Sequence, residues 1–241
     1  MSNHKRRTVL KSVGGVAVVG SLAGCTGGAS DEGSTDGSDE EMNDSEETDG
    51  SEEPEMDASL RVAHLSPDAP NVDVYVDGDA VLEDIPYRTV SDYLDLASGS
   101  YDVMITAAGD METVVFDESL DVPAGSITVA AVGELAEENQ PFAVEVYEDD
   151  VSDPGDNARI RLAHAAPDAP AVDVTADGDV LFEGVPFGAA GAVEVPPGEY
   201  ELEVRPATED NDGDVVATFD VEPEAGVVYS GFAVGYLEPD D

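Results

Sequence analysis

The chain has 241 residues, of which 41% are apolar and 27% charged, enough for one large or two small globular domains. The chain contains 56 acidic and nine basic residues, and its formal net charge is −47. A surface of this sign repels phosphate backbones and anionic lipid headgroups, so the composition excludes nucleic acid as a partner.

The distribution of charge points to a salty environment. Four of the nine basic residues stand in the first eleven positions, so the rest of the chain holds 9 − 4 = 5 arginines, no lysine and a net charge of 5 − 56 = −51. Self-repulsion of this size destabilises a compact domain at low ionic strength. At molar salt the screening length falls to roughly 3 Å, and most of the repulsion disappears. The composition therefore indicates a halophilic source.

Residues 1–24 predict an export signal that ends in a lipid-attachment site. The pair Arg6-Arg7 lies in a basic stretch before a short apolar run and resembles a twin-arginine signal. That run is too short to span ~30 Å of hydrocarbon at about 1.5 Å per residue. The sequence Leu-Ala-Gly-Cys, ending at Cys25, resembles a lipobox, where a lipoprotein is cleaved before the cysteine and lipidated on its sulfur. We expect lipid on Cys25 to hold the protein on the outer face of the cytoplasmic membrane; an uncleaved signal anchor is the alternative.

Residues 25–59 form an acidic segment after the cysteine. Positions 26–59 hold 14 acids and no basic residue. Such a composition buries too little apolar surface to offset chain entropy, so we expect a disordered tether. As a coil of 34 residues it would span about 30–35 Å, from roughly 5–6 Å times the square root of its length. Condensation by calcium is the alternative. Cys25 is the only cysteine, so an intramolecular disulfide is excluded.

The remaining chain contains one pattern twice. The stretch from Arg61 to Gly78 returns 100 positions later, and short apolar alternations separated by turn signals follow each copy. That pattern is typical of strands. We predict an all-β protein with two tandem antiparallel β-sandwich (Ig-like) modules, at 60–149 and 158–241, joined by a linker over 150–157. One merged β structure is the fallback.

Individual strands are predicted where apolar and polar residues alternate. They cover residues 72–76, 101–105, 127–132 and 142–147 in the first module, and 172–176, 199–205 and 227–229 in the second. Residues 232–234 are predicted to be the counterpart of 142–147. The Asp-Gly pairs at 77–78 and 177–178 predict tight turns, because glycine adopts positive φ without steric cost.

The duplicated motif His-x-x-Pro-Asp-Ala-Pro-x-Val-Asp-Val, with the following Asp-Gly and a later Gly-x-Tyr, resembles the family named domain of unknown function 4397 and surface lipoproteins of haloarchaea. The resemblance covers about residues 60–241. It implies an extracytoplasmic β module, often in tandem copies on microbial surfaces, with no assigned catalytic activity. Ser66 and Asn71 become Ala166 and Ala171 in the second copy, so a role resting on them would be restricted to the first module.

The polar and proline positions of the motif are the candidate site residues: His64, Pro67, Asp68, Pro70, Asp73, His164, Pro167, Asp168, Pro170 and Asp173. A histidine beside an aspartate can act as a general base or bind a metal. We favour a structural role, in which each imidazole fixes its own loop, because a catalytic group seldom needs two copies. The acidic loop at 209–214 does not fit an EF-hand, since aligning its glycine puts Phe219 where glutamate is required. No catalytic residue, metal or cofactor is predicted.

These inferences combine into one expected function. We expect a lipid-anchored surface protein with a non-catalytic binding or structural role in the cell envelope, its partner an unidentified envelope protein or glycan. A surface hydrolase using His64 with Asp68 or Asp73 is one alternative, which would require a close His–Asp pair in a cleft. A solute-binding lipoprotein is the other, which would require a deep pocket between the modules.

Overall fold

The computed structural model describes residues 55–238, and its regular elements are sixteen strands in that range. The first repeat contributes β1 (Ala58–His64), β2 (Val72–Val76), β3 (Asp79–Ile85), β4 (Thr89–Val90), β5 (Leu94–Leu96), β6 (Gly99–Ala107), β7 (Asp110–Val122), β8 (Gly125–Val132) and β9 (Ala143–Glu148). The second contributes β10 (Ala158–Ala165), β11 (Val172–Ala176), β12 (Asp179–Val185), β13 (Ala190–Val195), β14 (Tyr200–Pro206), β15 (Ala217–Val221) and β16 (Val228–Val234). The predicted all-β class is confirmed.

Each repeat builds two sheets. One is antiparallel, in the order β3-β2-β6-β7 in the first repeat and β12-β11-β14-β15 in the second. The other places β1 between β8 and the short strands β4 and β5, with β9 beyond β8; its counterpart has the order β13-β10-β16. The pairs β1–β8 and β10–β16 are parallel, so the prediction of purely antiparallel sheets is wrong there. Between β1 and β8, and again between β10 and β16, the chain passes through the antiparallel sheet before it returns. Parallel pairing requires a long connection of this kind.

The Asp-Gly pairs form the predicted hairpin turns. Asp77 and Gly78 have φ values of 51° and 87°, and Asp177 and Gly178 have 51° and 91°. Two consecutive residues of positive φ define the type I′ turn, whose twist matches that of the flanking strands. Each turn joins two directly paired strands, β2 to β3 and β11 to β12.

The two sheets of the first repeat pack face to face. Val72, Val74 and Ile105 of the antiparallel sheet lie in one buried cluster with Val62 and Val144 of the other sheet. In the second repeat, the ring of Phe182 on β12 packs beside Gly191 on β13. These contacts agree with the predicted sandwich.

The repeats also share a core with each other. Ala63 and Ala130 point away from the interior of the first sandwich and pack in one cluster with Ala163, Ala165 and Phe232 of the second. Small alanine side chains allow the two sheets to approach closely. The four sheets therefore stack in layers, and the two sandwiches pack against each other through their mixed sheets.

Two boundaries differ from the prediction. β1 begins at Ala58, two residues before the predicted start of the first module. Residues 232–234 are the end of β16, where Ala233 pairs with His164 as Ala131 of β8 pairs with His64. They therefore correspond to the end of β8 and not to β9. Segments 142–147 and 232–234 have similar sequences, but the equivalence of two strands is defined by their pairing register and not by their composition.

Candidate functional site

The candidate residues lie in the loop after β1 and in the equivalent loop after β10. His64 ends β1 at the centre of the mixed sheet and is fully buried, as is His164 near the end of β10. The Pro-Asp-Ala-Pro segment then carries the chain across to β2 or β11, in the antiparallel sheet. The loop is therefore the crossover that links the two layers of each sandwich.

Each histidine bonds to the backbone of its own loop. The Nε2 atom of His64 lies 3.0 Å from the carbonyl oxygen of Pro70, and His164 makes the same contact with Pro170 at 3.0 Å. Because a carbonyl only accepts, Nε2 carries the proton and Nδ1 of the neutral ring has a lone pair. In the second repeat that lone pair accepts the N–H of Ala166 at 3.4 Å.

Burial sets the protonation of both rings. Desolvation lowers the pKa of His64 and of His164, although the bond to the proline carbonyl opposes this change. Each ring also packs edge-on against an aromatic side chain, Tyr87 at 6.1 Å or Phe187 at 6.2 Å between centroids. A neutral imidazole that donates to a carbonyl inside an apolar shell has the properties of a structural latch.

Asp68 and its equivalent fasten a different loop. The carboxylate of Asp68 accepts the N–H groups of Leu135 and Ala136, at 2.9 and 2.8 Å, in the segment after β8. Asp168 accepts those of Leu237 and Glu238, at 2.7 and 2.8 Å, after β16. Each aspartate thus ties the crossover loop to the segment that leaves the parallel strand.

Asp73 stabilises an irregularity in the neighbouring strand. Its two oxygens accept the N–H of Asp84 at 2.7 Å and that of Gly109 at 2.8 Å. Asp84 has a φ of 54° and lies where the register between β2 and β3 shifts, so the carboxylate supports a β-bulge and a hairpin turn together.

The second repeat has the same arrangement around Asp173. Its carboxylate accepts the N–H of Gly184 at 2.7 Å and that of Thr208 at 3.1 Å. Gly184 has a φ of 60°, and the register between β11 and β12 shifts at the equivalent place. Asp173 is completely buried and Asp73 nearly so, whereas Asp84 and Gly184 in the bulges are exposed, so buried carboxylates hold two bulges at the sheet edges.

Ser66 and Asn71 occupy the positions that differ between the repeats. The hydroxyl of Ser66 is fully buried and donates to the carbonyl of Gly133 at 2.7 Å. The amide of Asn71 donates to the side chain of Asp84 at 2.8 Å on the surface. Ser66 is therefore placed as a bonded core residue and not as an accessible nucleophile.

The required geometry of the hydrolase alternative is not found among residues 55–238. The imidazole of His64 bonds to Pro70, while Asp68 and Asp73 accept backbone amides elsewhere, so no His–carboxylate hydrogen bond forms in either repeat. The described residues also contain no cluster of three or more histidine, cysteine, aspartate or glutamate side chains suited to a metal. The acidic loop at 209–214 connects the antiparallel strands β14 and β15 and so lies at the tip of a hairpin.

A charged centre between the repeats was missed by sequence reasoning. The side chain of Asp149 is fully buried and forms ion pairs with Arg61, whose Nε lies 3.4 Å away, and with Arg161. The hydroxyls of Tyr93 and Thr128 also donate to it, each at 2.5 Å. The two arginines are the first residues of the two motif copies. Their scarcity in so acidic a chain was the one available signal.

Further side chains complete this centre. The hydroxyl of Ser230 on β16 accepts from Arg61 at 2.9 Å and from Arg161 at 3.2 Å. The guanidinium of Arg61 lies over the ring of Tyr93, 5.0 Å from its centroid. The pKa of Tyr93 is raised to about 12, mainly because the phenol is buried and also because it donates a hydrogen bond to Asp149. The first strand of each repeat is thereby tied to the end of β9.

A second polar contact between the repeats joins equivalent loops. Glu134 follows β8 and Tyr236 follows β16, and the tyrosine hydroxyl lies near the glutamate carboxylate. Burial would raise the pKa of Glu134, but the neighbouring Tyr236 hydroxyl and the hydrogen bonds from Asn139 hold that pKa below its usual value. The cavity lined by Arg161, Ser230 and Tyr147 has a volume of about 10 Å³, room for about one water molecule. This space is far smaller than the pocket that the solute-binding alternative requires.

The comparisons with known proteins agree with the repeat. The family model described as "Domain of unknown function (DUF4397)" matches residues 58–175 and again residues 158–241. The chain belongs to the DUF4397 family. The first match extends past β10 into β11, so its end reflects the beginning of the second DUF4397 copy. No curated protein matches the chain.

Among solved structures, the chain is similar to the Bacillus anthracis TIE protein, with 14% identity over 74% of this chain and a TM-score of 0.25. The match covers 33% of that chain, so this DUF4397 protein spans about a third of its length. A similarity of this size carries no argument about function.

Some predicted features lie outside the described residues. They are Arg6 and Arg7 of the export signal, the lipid site Cys25, and the part of the acidic segment before residue 55. Among residues 55–238, no helix has the length and apolarity that crossing a membrane requires.

Proposed function

We propose that this protein is a lipid-anchored surface protein of a halophile, whose DUF4397 repeats have a non-catalytic binding or structural role in the cell envelope. The observation that carries the proposal is the use of the motif's polar groups. The imidazoles and carboxylates of His64, Asp68 and Asp73 bond to backbone groups that hold loops, bulges and turns, and the second copy repeats these bonds. Groups committed in this way support a rigid scaffold and leave little for chemistry on a substrate.

The composition supports the proposed location. A net charge of −47 is compatible with a stable fold at molar salt, and the Arg6-Arg7 signal and the lipobox at Cys25 resemble export and anchoring elements. The partner is an envelope protein or glycan at the surface. Photo-crosslinking on intact cells, followed by mass spectrometry of the linked species, identifies its class.

The anchor is tested by Cys25→Ser, with Thr26→Ser as the matched control beside it. We expect the wild type and Thr26→Ser to sediment with membranes and to be released by detergent, whereas Cys25→Ser appears in the medium. Mass spectrometry of the mature N-terminus should detect a lipid on the cysteine of the wild type and of Thr26→Ser, and none on Cys25→Ser. Membrane retention of Cys25→Ser would contradict the anchor.

The non-catalytic role is tested separately. The protein is screened at molar salt with chromogenic esters, glycosides and peptides. We expect no turnover above a heat-inactivated control. A hydrolysis that His64→Gln abolishes while the melting temperature stays unchanged would establish the hydrolase alternative instead.

A further inference from the structure

Strand β16 has an unpaired edge. It pairs with β10 on one side, and within residues 55–238 no strand lies on its other side. Its counterpart β8 in the first repeat is an interior strand, with β1 on one side and β9 on the other. Strand β16 is thus an edge strand in the second repeat, whereas the equivalent strand β8 is covered by β9 in the first.

The backbone groups on this edge can be assigned. The carbonyl of Val227 accepts the N–H of Arg159 at 3.0 Å, so residue 227 and every second residue after it point their backbone groups toward β10. The first repeat shows the same alternation, because the carbonyl of Ser126 accepts the N–H of Asp149 at 2.7 Å on the β9 side. Residues 228, 230, 232 and 234 therefore point outward, with four N–H and four C=O groups, eight in total.

The composition of β16 is unusual for an edge. Its sequence Val-Tyr-Ser-Gly-Phe-Ala-Val contains no charged residue. The other edge strands of five or more residues, β3, β7, β9, β12, β13 and β15, each carry at least one acid. Charged side chains are a common means of preventing edge-to-edge pairing. In a chain with a net charge of −47, β16 is a long edge that lacks this protection.

We propose that the β16 edges of two copies of this chain pair antiparallel about a two-fold axis at Gly231. Ser230 then lies opposite the partner's Phe232, and Val228 lies opposite the partner's Val234. All four outward-pointing residues meet outward-pointing residues, so the eight groups of each copy can form eight hydrogen bonds across the axis. The three-stranded sheets β13-β10-β16 of the two copies join into one sheet of six strands.

The residue at the axis favours this register. Gly231 faces the partner's Gly231 as a non-hydrogen-bonded pair, in which the Cα atoms approach to about 4.5 Å. Glycine has no side chain to oppose this approach. Ser230 and Gly231 are exposed although the residues on both sides of them are half-buried, so the centre of the strand is accessible. The pairing is self-complementary, as a two-fold interface between identical copies requires, and the uncharged edge adds no repulsion between them.

The test compares two substitutions at one position. Ser230→Pro and Ser230→Ala both remove the hydroxyl that accepts from Arg61 and Arg161, but only proline also removes the outward N–H. All variants are full-length chains carrying Cys25→Ser, studied at molar KCl to screen repulsion between copies. Sedimentation equilibrium measures association over a concentration series. We expect dimers for the parent and Ser230→Ala, and at least a tenfold weaker association for Ser230→Pro.

Two results would overturn the dimer. One is a parent protein that stays monomeric through the concentration series, which would leave the edge to a foreign strand or to none. The other is a Ser230→Pro variant that dimerises as tightly as Ser230→Ala. Circular dichroism verifies that each variant is folded. Should Ser230→Pro fail to fold, Val228→Pro against Val228→Ala makes the same comparison at another outward N–H, and equal association of those two proteins would also overturn the proposal.

Discussion

The buried carboxylate of Asp149 offers a direct test of how the repeats hold together. Its side chain has no exposed surface and bonds to Arg61 from the first repeat and Arg161 from the second. Replacing it with asparagine keeps the size but removes the only carboxylate paired with either arginine in the described range. Two buried guanidinium groups would then face each other without compensation.

The size of the effect follows from this burial. Breaking a buried ion pair by removing one partner costs about 3–5 kcal/mol, because a desolvated charge remains. With a urea dependence of about 2 kcal/mol per molar, the unfolding midpoint of Asp149→Asn should fall by about 1.5–2.5 M. Neighbouring Asp150 provides the matched control. Its side chain is 61% exposed and pairs with Arg159 at 2.9 Å, so Asp150→Asn should lower the unfolding midpoint far less than Asp149→Asn does.

The assay is urea unfolding followed by circular dichroism at constant molar KCl, which keeps charge screening equal for all variants. We expect one transition for the wild type, since the repeats share both the alanine core and this charged centre. Equal losses of stability for Asp149→Asn and Asp150→Asn would refute the reasoning, as would a gain in stability for Asp149→Asn.

Two further predictions concern pH and salt. Because burial lowers the pKa of His64 and His164 in the folded state, the unfolded chain takes up protons first. Stability is therefore complete above pH of about 6.5 and falls as the pH drops toward the lowered folded pKa, by at most about 1.4 kcal/mol per pH unit for each ring. The double variant His64→Gln, His164→Gln, whose amides can donate to the same carbonyls, should show a flatter stability curve between pH 7 and 5.5; an unchanged slope would contradict the assignment. Moving the wild type from molar to about 0.1 M salt should loosen the fold through repulsion among 56 acids, and an identical circular-dichroism spectrum and melting temperature would count against the halophile inference.

Local chemistry explains which parts of the fold were predictable. The Asp77-Gly78 turn requires positive φ at two consecutive positions, and few dipeptides adopt it readily. The hairpin could therefore be predicted from the sequence. Residues 72–76 alternate in side-chain character and form β2 with the predicted bounds. In both cases neighbouring residues determine the structure.

Interactions between distant segments explain what was missed. Alternation along β1 places Arg61 and Ala63 on the outer face of the first sandwich, opposite the core residue Val62. That face is covered by the second repeat. Nothing near Asp149 distinguishes it from the other acids of the chain, because both arginines reach it from other strands. The small side chains of Ala63 and Ala130 in this cluster were the available sign of close packing.

The comparison of the two repeats also indicates where a specific function is encoded. Bonds from the shared residues, such as Asp68 and Asp168, recur with equivalent partners and so serve the fold that both copies need. Positions that differ are free of that requirement. Glu134 and Tyr236 are equivalent in place but different in chemistry, and they lie near each other where the repeats meet. A duplicated domain that evolves such complementary differences ceases to be two interchangeable modules, since each copy then depends on the other. A surface for the proposed envelope partner is therefore to be sought among the residues that differ between the repeats, and not in the motif that they share.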